Sequence, residues 1–145
     1  MDELISTGYC SLYIRKGADI PSGTNLPFDQ QLGPRKNARP GGDGESIIFE
    51  VHGLWRADLL VSLQPKSYVP IRVQLCVATG TERLMQHACV VLPDIDMESF
   101  SMQFVLPDDG NTYHCTASVV HDDSTVYVHG GTIRSELSVM QWGQA

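Results

Sequence analysis

Residues 46–63, S-I-I-F-E-V-H-G-L-W-R-A-D-L-L-V-S-L, constrain the fold of this chain more than any other stretch. Ile47, Phe49 and Val51 occupy alternate positions, and after Gly53 the alternation resumes as Trp55, Ala57, Leu59, Val61 and Leu63. A period of two puts one row of side chains on one face of a pleated strand, where a core can cover it. Gly53 falls where the two runs meet, a place suited to a bend, a bulge or a turn with positive φ. The stretch is therefore expected to form two strands and a corner, the spine of an all-β domain.

Other segments repeat the pattern. Val69, Ile71, Val73, Leu75 and Val77 alternate with Pro70, Arg72, Gln74 and Cys76. Pro70 has no N–H to give a ladder, so that end belongs at an edge or a strand start. Residues 10–14, 84–92, 100–106, 113–119 and 125–129 are further strand candidates. A last strand is expected through Ile133, Leu137 and Val139 to Trp142. Turn signals separate them, at Pro65 to Ser67, at residues 78–81, at Pro107-Asp108-Asp109-Gly110-Asn111, at Asp122-Asp123-Ser124 and at Gly130-Gly131. Residues 93–99 read as an acidic loop. Residues 17–31 read as extended loop with turns, tacked to the core by Leu26, Pro27 and Phe28, and residues 33–45 as an exposed Gly/Pro/basic loop. No segment of useful length has a 3.6-residue period. Short strands with regular turns predict an antiparallel sandwich, jelly roll or barrel. A chain of 145 residues fits one domain spanning 1–145.

Ten Lys and Arg stand against seventeen Asp and Glu, a net charge of −7. The excess lies after residue 45. Such a surface repels a nucleic-acid backbone or an anionic bilayer, and leaves room only for a local basic contact. No apolar run reaches the ~20 residues of a spanning helix. The acidic opening M-D-E-L-I-S-T lacks the layout of a signal peptide. Synthesis in a cytosol is therefore expected, with Cys10, Cys76, Cys89 and Cys115 as thiols, three of them in apolar alternating runs.

Catalytic and metal signatures are missing. The histidines, His52, His87, His114, His121 and His129, form no H-x-H or H-E-x-x-H. A cupin needs paired histidines and a Glu; cross-strand pairs such as His114 with His121, or His121 with His129, still fall short of a convergent ligand set. Asp94-x-Asp96-x-Glu98 lacks the glycine and length of an EF-hand loop, and Asp108-Asp109 and Asp122-Asp123 are ordinary turn acids. No G-x-S-x-G occurs, and neither Gly-rich segment is followed by G-K-[ST]. Ser6-Thr7-Gly8-Tyr9 resembles the first motif of the trimeric deoxyuridine triphosphatases, but Cys10 stands where that motif has Asp, and the later motifs are absent. The expectation is no enzyme, no cofactor and no metal. Arg35, Lys36 and Arg39 form a basic loop on an acidic protein, a candidate contact for an acidic partner surface. Phe49, Trp55, Phe104, Tyr113 and Trp142 are candidate core or subunit-interface aromatics, with the core favoured for Trp55.

Several of these features occur in a recognisable order. A strand around Leu12 to Ile14 precedes Leu26-Pro27-Phe28-Asp29 and a variable loop; Phe49 follows, then Gly53-Leu54-Trp55 opening a long apolar strand, and Ser135-Glu136-Leu137-Ser138-Val139 near the end. The pattern resembles the globular head of the tumour-necrosis-factor and complement-subcomponent-q family. The strand after Gly-x-aromatic departs from it, carrying Ala57, Leu59 and Val61 where the family is aromatic-rich. The resemblance implies an all-β, antiparallel two-sheet jelly-roll sandwich that assembles as a compact homotrimer without catalysis. Similar heads occur on spores and phage particles. The function expected from this is a structural or adhesive protein on a virion surface, made in the host cytoplasm. It would be a phage decoration protein or fibre head contacting the capsid, another virion protein or a host surface receptor, without nucleic acid and without membrane insertion. The alternatives are a secreted, extracellular ligand of the same family or a lectin, and, further off, a metal-dependent jelly-roll enzyme.

Overall fold

The computed structural model describes residues 7–66, 71–79, 82–91, 97–106, 113–122 and 125–143, with 82–91 described by backbone alone. The described residues form strands and connecting turns, with no helix among them. The strands are β1 (Tyr9–Tyr13), β2 (Ala18–Ile20), β3 (Gln30–Gln31), β4 (Ala38–Pro40), β5 (Ser46–Phe49), β6 (Leu54–Pro65), β7 (Ile71–Thr79), β8 (Glu82–Val91), β9 (Glu98–Val105), β10 (His114–His121), β11 (Val126–Val128) and β12 (Glu136–Gly143). Every pairing between them is antiparallel.

β6 organises one sheet. Its twelve residues pair with β9 along one edge. Along the other edge they pair first with β12 and then, past Leu60, with β11. β1 and β3 extend that sheet beyond β12, and β2 lies outside β11, which makes seven strands. The second sheet has five, in the order β4-β5-β10-β7-β8. Consecutive strands β5 and β6 therefore lie in different sheets. The chain crosses between them at residues 50–53, and Gly53 takes φ 156° there. The expected corner is the passage from one layer to the other.

The inward rows are those the alternation assigns. Trp55, Ala57, Leu59, Val61 and Leu63 meet Ile71, Val73, Leu75 and Val77 in one buried cluster, joined by Phe104, Ala117, Val119, Leu137 and Val139. Leu26 and Phe28 are also buried in it. A register shift between Gln74 and Cys76 breaks the alternation of β7 and buries Leu75, Cys76 and Val77 in succession.

Several expectations need correction. Residues 17–31 contain β2 and β3, and between them the chain runs along β10, with Gly23 N bonded to Val119 O and Leu26 N to Ala117 O. Residues 33–45 are more than an exposed loop. Lys36 and Tyr9 exchange backbone hydrogen bonds of 2.8 Å, Ala38 is buried, and β4 and β5 close a hairpin whose Gly41 N donates to Ser46 O. Ladder bonds and one buried methyl group hold segments too short to show a period. Val51 lies past the end of β5 and is exposed; Ile133 sits in a turn and is 77% exposed. Pro65 ends β6, Ala78 and Thr79 still belong to β7, and Glu98 already begins β9. Val69, Pro70, the 107–111 turn, Asp94, Asp96 and Asp123 lie outside the described residues, as does the Cys89 side chain. Cys10, Cys76 and Cys115 are free thiols.

Candidate interface on the outer face of the seven-stranded sheet

Whatever side chains alternate with the core row of β6 must face away from it. Strand register sorts these outward residues into rows. Tyr9, Met140, Arg56 and Val105 stand side by side across β1, β12, β6 and β9. The next row is Ser11, Ser138, Asp58 and Gln103, and the one after is Tyr13, Glu136, Leu60 and Ser101. The first row is apolar apart from Arg56: Tyr9 is 39% exposed, Met140 47% and Val105 68%. Trp142, further along β12, is 57% exposed. Large apolar side chains are rarely left together in water without a covering partner.

The second row is polar, and the third mixes Glu136 and Ser101 with Tyr13 and Leu60. These two rows line a shallow depression of about 490 Å³ between Asp58, Leu60, Ser101, Gln103, Glu136 and Ser138. Glu136 Oε1 lies 3.0 Å from Ser138 Oγ, which is also 2.8 Å from Ser11 Oγ. Arg56 Nη2 reaches Asp58 Oδ2 at 3.4 Å, while Arg56 Nε and Asp58 Oδ1 are covered and unpartnered. Between half-exposed groups such a bridge contributes ~0–1 kcal/mol. Both carboxylates border the depression, beside the Ser101 and Ser138 hydroxyls and the Gln103 amide.

The basic residues do not converge. Arg35 and Lys36 border β1 on the seven-stranded sheet; Arg35 is exposed, with Nη1 donating to Gln31 Oε1 at 3.1 Å. Arg39 lies on β4 of the other sheet and pairs with Glu50 at 3.5 Å. Asn37, with φ 61°, sits where the chain passes from the first sheet to the second. The aromatics divide as well. Trp55 and Phe104 are buried, and Phe49 packs on Trp55 with ring centroids 4.7 Å apart. Tyr113 and Trp142 are each 57% exposed; Tyr113 packs on His114, and Trp142 lies on the outer face.

The described residues hold no cluster of metal-binding side chains. His121 Nε2 is 3.0 Å from Ile20 O and His129 Nε2 is 3.0 Å from Gln64 Oε1, so the two bond different strands, β2 and β6. Burial pushes the Cys115 thiol up to about 12. Burial does the same for Cys10, to about 11, against the nearby Arg35 charge that lowers it. Neither thiol is poised as a nucleophile.

Tyr9, Asp58, Val105, Glu136 and Met140 did not stand out in the sequence as site residues, because they lie out of phase with the inward rows. A signal was there. In E-L-S-V-M-Q-W, Leu137 and Val139 take the inward phase, so Met140 and Trp142 are apolar residues on the water side.

Solved structures that share this fold include the following three. Eiger TNF from S. frugiperda is 9% identical, with 95% of each chain covered and a TM-score of 0.66. Murine APRIL is 9% identical, with 93% of this chain and 98% of that one covered and a TM-score of 0.60. The PRD1 vertex protein P5 is 10% identical over 92% of this chain and 96% of that one, with a TM-score of 0.53. No protein-family model and no curated protein matches the sequence. The likeness is one of fold: the chain is an all-β, two-sheet jelly roll of the tumour-necrosis-factor-like kind.

Proposed function

We propose that this chain is a non-enzymatic homotrimeric head, a structural or adhesive protein on a particle surface. In the reading we favour it is a virion decoration protein or fibre head that touches the capsid or a host receptor. The observation that carries the proposal is the row of Tyr9, Met140 and Val105, with Trp142 beyond it, standing uncovered on one face of the sheet. Burying an apolar side chain is worth ~1.5–3 kcal/mol, so repeated around a symmetry axis this row supplies the drive to self-associate. The vertex protein P5, which shares the fold, supports placement on a particle. The TNF and APRIL structures favour a second reading, a secreted ligand of the same build. Labelling intact particles and culture medium with an antibody to the chain separates the two readings.

Met140→Asp tests the self-association. Met140 is half-exposed, so the fold should tolerate the change, while a charge in the row opposes burial between copies. Sedimentation velocity should show trimer for the wild type and a shift to monomer for the variant. Identical profiles would remove this face from the contact.

A further inference from the structure

The basic segment and the acidic depression lie on the same sheet but on different parts of it. The depression is on the outer face, over β9, β6 and β12. Arg35 lies past the opposite margin, where Leu32 N bonds to Ser11 O and Lys36 to Tyr9. The two surfaces do not overlap, so one copy can offer its margin while its own face receives another's. That is a heterologous contact, and repeated around an axis it closes a ring.

We propose that Arg35 of one copy enters the depression of the next and pairs with Glu136, with Asp58 as the second carboxylate. The proposal rests on the homotrimer reading and deepens it by naming the groups that set partner and register. Charge complementarity carries it. Arg39 is paired with Glu50 and Lys66 with Asp19 inside the subunit, but among the described residues Arg35 has no carboxylate partner and donates to the neutral Gln31 amide. Glu136 has no cation partner among the described residues and meets only the Ser138 hydroxyl. A guanidinium fits a carboxylate through a planar, two-pronged hydrogen bond, and Leu60 on the floor of the depression would cover its aliphatic stem. Arg15, Lys16 and Arg134 are exposed too, but they belong to the loops at one end of the strands and not to the side margin. The acidic partner surface that a basic segment invites is thus present on the chain itself.

Charge exchange tests the contact. Wild type, Arg35→Glu, Glu136→Arg and the double variant would be compared by sedimentation velocity over a range of concentrations, with Arg39→Glu as a control. Each single reversal should weaken association at least tenfold, the double variant should recover most of the loss, and the control should match wild type. Should Glu136→Arg fail to fold, Glu136→Gln replaces it, with weakened association again expected. Joining the sites by Arg35→Cys with Glu136→Cys should give covalent trimers on a non-reducing gel, and neither single cysteine should. A wild-type trimer that ignores both reversals, or a double variant no better than the worse single, overturns this contact and leaves the trimer standing. A wild-type monomer overturns the trimer as well.

Discussion

At the scale of single residues, packing and hydrogen bonding make direct predictions. Trp55 is buried, and its Nε1 donates to Val51 O at 3.3 Å. Trp55→Ala should cost ~3–5 kcal/mol, read from chemical denaturation. Gly8 lies against the same indole: a Cβ there would sit 2.6 Å from Trp55 Cη2 and 2.9 Å from Lys36 O. Gly8→Ala should therefore destabilise by ~1–3 kcal/mol. Asp43 governs acid stability at the β4–β5 hairpin. Desolvation acts to raise its pKa, but hydrogen bonds from Glu45 N, Ser46 Oγ and Ser46 N outweigh that and hold it below 3.8. With the folded pKa the lower one, the stabilisation is complete above the unfolded value and disappears as pH falls through the folded value. The denaturation midpoints of wild type and Asp43→Asn should differ at neutral pH and converge in acid; a gap independent of pH would contradict this. Trp55 and Phe104 were legible as inward residues because they keep phase with long runs. The Asp43 turn was not, because its bonds depend on a φ of 75° at Gly44 that composition alone does not specify.

At the scale of elements, legibility followed length. β6, β7 and β10 are long enough for period two to stand out. β2, β3 and β4, of three, two and three residues, are not. Neighbouring ladders and close packing hold these short strands, and their Gly, Pro and Asn surroundings read as loop. Gly17 shows the difference. It begins a stretch that read as loop, yet a Cβ there would lie 2.7 Å from the backbone oxygen of Val128, so closeness of approach is what requires it. Exchange of amide hydrogens should follow the same ranking. β6, flanked on both edges, should hold the slowest amides, around Ala57 to Val61, and those of β3 and β4 should exchange faster. Equal protection across these strands would contradict the assignment of β6 as the centre of the fold.

At the scale of the molecule, the sandwich was readable because burial inside one chain leaves its mark on that chain's pattern. The outer face was readable only by phase. Alternation places Met140 and Trp142 away from the core but does not say whether water or a neighbour meets them, because that depends on a surface folded from distant strands. β1, β12, β6 and β9 come together only in the fold, and with them the apolar row and the depression beside it. The central claim is that this face is covered by further copies of the chain. A native mass spectrum of the wild-type protein at micromolar concentration tests it most directly. The account predicts a species of three times the 16.0 kDa chain, and a lone 16.0 kDa species would contradict it.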